Sequence, residues 1–286
     1  MGNVIKTAAV LLSVCVGYCI SAASAQSDIF LWPGVEMKTP SARYELPRSL
    51  LEISGLATAS LTSVVAHNDE YGIVYEISLD DGRVVSAFAL GDPTVEGDFE
   101  GIAVADDHVY LVTSKGLIYE APLSEHGTRA RYNVYDTGAW KYCEIEGLSK
   151  GPSDGDFLLL CKTVRGDKKS PILKIYRWNI ADREVVSTPY LKQDLSDLIT
   201  VEGKNTFRPS GIEWSERSGR ATIISARSKH LLTLNEDGSV AGIVDLSGKL
   251  HRQAEGITIM PSGALVIADE GFKRRAGSVT VYAPMP

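Results

Sequence analysis

Acidic residues recur along the sequence at near-regular intervals, each directly before a glycine. The motifs Glu100-Gly101-Ile102, Glu146-Gly147-Leu148 and Glu255-Gly256-Ile257 share one order of residue types, and Ser54-Gly55-Leu56 and Ser210-Gly211-Ile212 repeat it with serine. The intervals between successive motifs are 46, 46, 64 and 45 residues. Carboxylate oxygens are the ligands that Ca²⁺ prefers in proteins. If the fold brings the three glutamates together, the chemistry that they offer is calcium binding.

The repeats predict the elements that position these motifs. After Gly101, the second repeat contains short runs of β-branched and aromatic residues with a turn at Asp106-Asp107 and no helical period. Four strands in about 45 residues are typical of one propeller blade. The five motifs therefore predict an all-β fold, a single five-bladed β-propeller. The long interval leaves room in residues 193–207 for part of a sixth blade.

The fifth repeat contains three strand-like runs where the other repeats have four. A further run of suitable pattern, Ala42-Arg43-Tyr44-Glu45-Leu46, precedes the first motif. We expect this N-terminal strand to complete the last blade, because a ring closed in this way has no unpaired edge at its seam.

Propeller topology predicts that the motif residues meet at one end of the central channel. The innermost strand of each blade follows its motif, and the second strand returns antiparallel to the same end. The candidate calcium ligands at this mouth are Glu100, Glu146, Glu255, Asp69 and Asp269. Carboxylates in one narrow channel repel each other unless a positive charge compensates them. The alternative is a structural latch, in which each glutamate accepts hydrogen bonds from the next blade and Lys162 and Arg227 balance the charge.

The first residues have the order of a secretory leader. Lys6 precedes an apolar stretch, and Ala23-Ser24-Ala25 forms a small-residue cleavage pattern before Gln26. We predict a signal peptide at residues 1–25 and a propeller domain at residues 26–286, periplasmic or secreted, with no stable membrane span after cleavage. An uncleaved anchor helix is the alternative. The formal charge of −7 disfavours nucleic acid and anionic membranes as partners, and we expect a monomer that binds an exported protein or a small ligand.

Two cysteines follow the leader, Cys143 and Cys161. They lie symmetrically about Pro152, so a hairpin turning there would place them opposite each other. We expect a disulfide, because such pairs can bond in the oxidising compartments that exported proteins meet; two free buried thiols are the alternative. The turn Gly151-Pro152-Ser153-Asp154-Gly155 matches the nucleophile-elbow pattern G-x-S-x-G, but it joins two strands and is interpreted as a turn.

The histidines disfavour a zinc site. His67 is the one histidine placed at the mouth, and no cysteine and histidine spacing fits tetrahedral zinc. The other four fall in or near predicted turns, where we expect them to be solvated: His108, His126, His230 and His251.

Several runs resemble a known family. They are Ile53-Ser54-Gly55-Leu56 with Ala66-His67-Asn68-Asp69-Glu70, Cys143-Glu144-Ile145-Glu146-Gly147-Leu148, Pro209-Ser210-Gly211-Ile212-Glu213-Trp214 and Gln253-Ala254-Glu255-Gly256-Ile257. They resemble successive blades of the SdiA-regulated propeller family, and the resemblance covers nearly the whole chain after the leader. It implies an exported propeller with a calcium site at the Glu-Gly positions, and it implies no reaction. The insertion at residues 193–207 and the paired cysteines depart from the family pattern.

Two functions are compatible with such a mouth. The first is a binding module that presents the channel mouth to an exported partner or a small ligand, with calcium holding the mouth together. The second is calcium-dependent hydrolysis of a lactone or phosphoester, in which His67, Glu70 or Glu270 acts as base. The hydrolase rests on analogy with other propellers of phytase-like or esterase-like type.

Overall fold

The structure is a computed structural model and describes residues 37 and 39–284, apart from 167–170, 184, 186, 197, 199, 202–203 and 206. The predicted leader lies outside this range. Regular structure in the described residues consists of β-strands and two short 3-10 helices, Arg48–Leu50 and Ala139–Lys141. No helix in this part of the chain is long and apolar enough to cross a membrane.

The first half of the fold forms two blades of antiparallel strands. The described chain enters through β1 (Ala42–Glu45). Blade one comprises β2 (Ile53–Thr58), β3 (Ser63–Asn68), β4 (Ile73–Ser78) and β5 (Val84–Leu90). Blade two comprises β6 (Phe99–Ala105), β7 (His108–Thr113), β8 (Leu117–Pro122) and, after β9 (Arg129–Ala130), strand β10 (Asn133–Asp136). Strand β9 pairs in parallel with β5 at the outer edge of blade one.

Three further blades complete the predicted five-bladed propeller. Blade three comprises β11 (Cys143–Lys150), β12 (Asp156–Val164), β13 (Ile172–Asn179) and β14 (Leu191–Asp194). Strands β15 (Thr200–Val201) and β16 (Lys204–Asn205) form a separate two-stranded sheet in the insertion, which is not a sixth blade. Blade four comprises β17 (Gly211–Ser215), β18 (Arg220–Ser225), β19 (His230–Asn235) and β20 (Val240–Asp245). Blade five contains β21 (Ala254–Ile259), β22 (Leu265–Asp269) and β23 (Ser278–Tyr282).

The N-terminal strand closes the ring as the sequence predicts. Strand β1 pairs antiparallel with β23, from Ala42 opposite Val281 to Glu45 opposite Ser278. Blade five is therefore four-stranded, in the order β1-β23-β22-β21. The pairing joins the two ends of the described chain and covers the edge of β23 that would otherwise be open to other strands.

The core is divided among five clusters, each between two neighbouring blades. Between blades two and three, the ring of Tyr110 lies 4.4 Å from that of Phe157, which in turn packs against Trp178. The second strands of the blades are buried on both faces, and this explains why they are nearly continuous apolar runs, such as His108–Thr113. Packing on both faces of every blade fixes the innermost strands around the axis.

A disulfide joins Cys143 to Cys161, as predicted, with the two Cα atoms 5.7 Å apart. The predicted register is wrong in detail, because Cys143 lies opposite Val164 and Cys161 lies opposite Ile145. The hairpin turns between Lys150 and Phe157, which are directly paired, so its centre lies beyond Pro152. The bond therefore crosses the ladder diagonally, where register shifts in β11 bring the two cysteines within reach.

Candidate functional site

The innermost strands β2, β6, β11, β17 and β21 surround the channel. Each contacts the next, and β21 contacts β2 to complete the ring. All five motif glycines line the narrowest part of the channel, together with Ser54, Glu100 and Glu255. The motifs that are spread over two hundred residues of sequence thus lie around one axis.

The residue before the glycine is a β-bulge in four blades. In blade two, Phe99 pairs with Thr113 and Gly101 pairs with Val112, so Glu100 has no partner on β7. The same register shift occurs in β2, β11 and β21, at Ser54, Glu146 and Glu255. A bulge bends its strand and re-aims a side chain out of the regular alternation, and bulges are frequent at rims and beside sites. The repeated motif is therefore a repeated bulge.

The motif glycines allow neighbouring blades to approach closely. A Cβ atom on Gly101 would lie 2.4 Å from the backbone nitrogen of Leu148, and one on Gly211 would lie 2.6 Å from the carbonyl oxygen of Glu255. Neither glycine has a positive φ. The glycine is thus required by contact between backbones of adjacent blades, not by an unusual conformation.

Three motif glutamates and one lysine form a charged group at this end of the channel, which we call the acidic mouth: Glu100, Glu146, Glu255 and Lys162. The Nζ atom of Lys162 lies 2.8 Å from Oε2 of Glu146, and 4.0 Å from Oε1 of Glu144. The side chain of Glu146 is 8% exposed and that of Lys162 is 38% exposed. One ammonium group thus faces several carboxyl groups.

Burial and mutual repulsion shift the pKa values of this group. Burial, followed by the charge of Glu146, raises the pKa of Glu100 to about 9, and the same two causes raise that of Glu255 to about 8. Burial also raises the pKa of Glu146, but Lys162 opposes the change and the value is about 7. Burial alone would lower the pKa of Lys162, yet the nearby carboxylates raise it on balance. The mouth therefore favours the protonated forms of its glutamates.

The three residues predicted as catalytic bases differ in their exposure to solvent. His67 is completely buried: its Nδ1 lies 2.8 Å from the carbonyl oxygen of Asn68, and its Nε2, which has no partner in the described residues, faces Gly55. Burial lowers the pKa of His67 to about 4, so the ring is neutral. Glu70 is exposed, whereas Glu270 is partly buried and its pKa is raised, first by burial.

The two candidate aspartates lie in different surroundings. Asp69 is partly buried, and burial followed by the charge of Glu52 raises its pKa. Asp269 is buried and accepts a hydrogen bond from the backbone nitrogen of Gln253. Its Oδ2 also lies 2.7 Å from Nδ1 of His251, whose Nε2 lies 2.6 Å from the hydroxyl of Tyr282. His251 has no exposed surface, so the prediction that it is solvated is wrong.

The sequence of this propeller matches a known family over most of its length. Residues 52–272 match the family model described as SdiA-regulated. The chain belongs to the SdiA-regulated family. No curated protein matches the sequence of this SdiA-regulated chain.

Solved structures share the fold of this SdiA-regulated protein at low sequence identity. Glutaminyl cyclase from Myxococcus xanthus is 14% identical, with a TM-score of 0.56 over 85% of this chain and 94% of that chain. A luciferin-regenerating enzyme is 6% identical, with a TM-score of 0.51 over 86% and 96%. PQQ-bound aldose sugar dehydrogenase from Streptomyces coelicolor is 12% identical, with a TM-score of 0.50 over 85% and 99%. These similarities concern the fold alone.

The motif serine of blade four, Ser210, is a latch in this SdiA-regulated propeller. The hydroxyl of Ser210 donates a hydrogen bond of 2.6 Å to the carbonyl of Ala254 in the next blade and accepts one from the nitrogen of Ala226. No backbone hydrogen bond reaches the side chains of the three motif glutamates within the described residues. In the same residues, no three Asp, Glu, His or Cys side chains are close enough together to hold a metal ion.

A second polar site at the other end of the channel is not among the predicted residues. Glu213 lies two positions after the motif glycine of blade four, and burial raises its pKa to about 8. The other blades have small residues at this position: Ala57, Ala103, Ser149 and Thr258. Alignment of the repeats would have singled out Glu213, because it is the position where one blade replaces a small side chain by a carboxyl group.

Proposed function

We propose that this SdiA-regulated propeller is a binding module whose acidic mouth takes a divalent cation, with calcium as the first candidate. The observation that supports the proposal is the meeting of Glu100, Glu146 and Glu255, from three blades, beside Lys162. Ionisation of all three carboxylates would leave an excess of negative charge in a buried place, which protons relieve at neutral pH and a bound cation would relieve at higher pH. Calcium is a hard cation that prefers such oxygen ligands and tolerates irregular geometry.

Calcium binding at this mouth requires a local rearrangement. The carboxylates would have to draw closer together, and Lys162 would have to release Glu146. Because the glutamates hold protons at neutral pH, binding should also release protons. The affinity for calcium should therefore rise as the pH increases through the range of about 7 to 9 that their pKa values span.

The decisive experiment is calorimetric titration with CaCl₂ at two pH values, one neutral and one near pH 9. We expect binding that strengthens at the higher pH, with heats that vary with the ionisation enthalpy of the buffer. Glu100→Gln and Glu255→Gln should each weaken binding at least about tenfold, the effect of losing roughly 1.4 kcal/mol. Glu125→Gln, at an exposed glutamate outside the mouth, is the matched control. Equal calcium titrations of all four proteins would refute the proposal.

We also propose that the protein is exported to the periplasm or the outside of the cell. The proposal is supported by the leader-like sequence and by the disulfide, which is typical of oxidising compartments. Fractionation of cells that produce the full sequence tests it: the exported protein should begin at Gln26. A cytoplasmic protein that retains Met1 would contradict it.

Hydrolysis of a lactone or phosphoester has weaker support. Its base would be His67, Glu70 or Glu270, but the imidazole of His67 has no exposed surface and lies behind Gly55. A base must come within hydrogen-bond reach of the proton that it removes. Turnover of a lactone or phosphoester panel in the presence of calcium, abolished by Glu270→Gln, would favour hydrolysis over binding alone.

A further inference from the structure

The channel opens at its other end into a cavity of about 500 Å³, which we call the distal cavity. Its walls come from the later residues of all five innermost strands, among them Thr58, Val104, Ser149, Glu213 and Ile259. Cavities of several hundred cubic ångströms that are built from pre-formed elements are typical of small-molecule sites. The propeller axis therefore has a spacious end as well as an acidic one.

Aliphatic side chains separate the distal cavity from the acidic mouth. Each motif glycine is followed by a buried aliphatic residue that lines the narrow segment: Leu56, Ile102, Leu148, Ile212 and Ile257. The free volume of this segment is about 10 Å³, which is room for about one water molecule. A ligand of the distal cavity would therefore not reach the glutamates of the acidic mouth, and the two ends can be tested separately.

Among the wall residues named above, Glu213 is the one that carries a carboxyl group. Its Oε1 accepts a hydrogen bond of 3.2 Å from the hydroxyl of Thr258, and its Oε2 lies 3.4 Å from the hydroxyl of Ser149. The hydroxyls of Thr258 and Thr58 are 3.0 Å apart. Four strands thus contribute to a continuous row of polar groups, of which Thr58, Ser149 and Glu213 line the otherwise largely apolar wall. Such a row is suited to hydrogen-bonding a ligand that carries hydroxyl groups.

The rim of the distal cavity has an excess of positive charge. Lys150, Arg217 and Arg220 lie on it with a single acidic residue, Glu216. The Nζ of Lys150 is 2.8 Å from Glu216, and Arg220 donates to the side chain of Asn235. Arg217 is exposed and donates to the carbonyl of Pro261. The fork of donors on an arginine matches a carboxylate in shape and charge.

We propose that the distal cavity binds a small hydroxylated organic acid, with its hydroxyl groups on Glu213 and Thr58 and its carboxylate toward Arg217. The polar row lies in the wall of the cavity and the basic residues lie on its rim. A ligand that contacts both therefore needs hydroxyl groups as well as an acid group. Burial raises the pKa of Glu213 to about 8, and the protonated carboxyl can both donate and accept a hydrogen bond at neutral pH without repelling an acid. This proposal does not depend on cation binding at the acidic mouth.

Calorimetric titration of the purified protein at neutral pH tests the ligand class. The probes are lactate, tartrate, citrate and gluconate. Glucose has hydroxyls without an acid group and hexanoate has an acid group without hydroxyls, so each should bind at least about tenfold more weakly than the best probe. Failure of every hydroxy acid to bind at millimolar concentration would overturn the proposal. Equal binding of hexanoate would overturn it as well.

Variants locate the site. Glu213→Ala should fold, because blades one and two have alanine at the same position, and it should weaken binding of the best probe at least about tenfold. Arg217→Ala should remove the preference for that probe over glucose, whereas Arg131→Ala, at an exposed arginine on another blade, should change nothing. If Glu213→Ala leaves the titration unchanged, the cavity does not use this carboxyl group and the proposal is wrong.

Glu213→Gln separates ligand binding from a structural role. Glutamine keeps the shape and can donate and accept hydrogen bonds at any pH. Wild-type affinity for the acid should decline as the pH rises past about 8, where Glu213 ionises, and the affinity of the Gln variant should not. Identical pH profiles of binding for the two proteins would show that Glu213 does not contact the ligand and would overturn the assignment.

Discussion

The ammonium nitrogen of Lys162 lies 2.8 Å from Oε2 of Glu146, in a place where Glu146 is almost fully buried. Because this lysine is the cation that pairs with Glu146, it both stabilises the ionised form of Glu146 and competes with any added cation. Replacement of Lys162 should therefore have two opposite effects, a loss of stability and a gain in calcium affinity.

Lys162→Met should lower stability and strengthen calcium binding. Without the positive charge of Lys162, the ionised form of Glu146 is less stable in the folded protein. We expect the unfolding free energy to fall by about 1 kcal/mol, a small loss because Lys162 is partly exposed and water screens the pair. The same change removes the competitor for calcium. Chemical denaturation and calorimetric titration measure the two effects, with Lys249→Met, at an exposed lysine, as the control. Weaker calcium binding by Lys162→Met would contradict a cation site here.

The pH dependence of stability should reflect the raised pKa values of the acidic mouth. Glu100 and Glu255 have an ordinary pKa of 4.5 and reach about 9 and about 8 in the folded protein, so the folded state holds these protons more tightly. Their stabilising effect is complete below about pH 4.5, declines as the pH rises above that value, and is fully lost once the pH has passed about 8 to 9. We expect the wild-type Tm to fall over this range and the fall to be smaller in Glu100→Gln/Glu255→Gln. Parallel Tm profiles for the two proteins would count against burial of these carboxylates.

Gly101→Ala should destabilise the ring where blades two and three meet. The new Cβ would lie 2.4 Å from the backbone nitrogen of Leu148, and a backbone atom cannot move aside as a side chain can. We expect a loss of about 1–3 kcal/mol in denaturant unfolding, typical of overpacking. Gly248→Ala is the matched control, since nothing lies within 4 Å of its Cβ position and its φ is not positive. A similar loss in both variants would mean that contact between blades is not the cause.

Reduction of the Cys143–Cys161 disulfide should destabilise the protein without removing the fold. The two cysteines are 18 residues apart, and a bond that closes a loop of this size typically contributes about 3 kcal/mol by restricting the unfolded chain. The extensive packing of blade three remains in the reduced protein. Tm values measured with and without reductant should therefore differ in the wild type and coincide in Cys143→Ala/Cys161→Ala. A reductant effect that persists in the double variant would have to come from another source.

The sequence contains enough information for the architecture because each blade is locally encoded. The interval between Gly55 and Gly101 matches that between Gly101 and Gly147, and each interval contains its own strands and turns. The closing strand could be predicted for the same reason: Ala42–Glu45 has the pattern of the strand that blade five lacks. Propeller topology then places the motif glutamates around the axis without any knowledge of their side-chain contacts.

Features that depend on contacts between distant segments could not be predicted. The bulge at Glu100 is a property of the β6–β7 ladder: the Glu-Gly motif marks its position, but only the strand pairing shows that a bulge is there. His251 has the sequence context of a turn, yet the segment after β20 folds back and places it between Asp269 and Tyr282. Sequence symmetry about Pro152 predicts the cysteine pair but not its register, because the exact centre of the hairpin is set by turn geometry.

Substitution of the motif serine should separate a latch from a cation site. Ser210→Ala removes the hydrogen bond to the Ala254 carbonyl and leaves that group and the nitrogen of Ala226 without this partner, at a cost of about 1–3 kcal/mol. Ser228→Ala is the matched control, because the buried hydroxyl of Ser228 has no partner in the described residues and its removal should cost little. Unfolding in denaturant measures both variants.

The glutamate form of the motif should respond in the opposite direction. Glu255→Gln removes a carboxyl group whose ionisation is opposed by burial and by Glu146, so its unfolding free energy near pH 9 should equal or exceed that of the wild type. A latch would instead give Glu255→Gln the same loss as Ser210→Ala at every pH, since both would then break a bond between blades. The contrast between Ser210 and Glu255 therefore tests whether the acidic residues of this repeat hold the ring together or remain available to a cation.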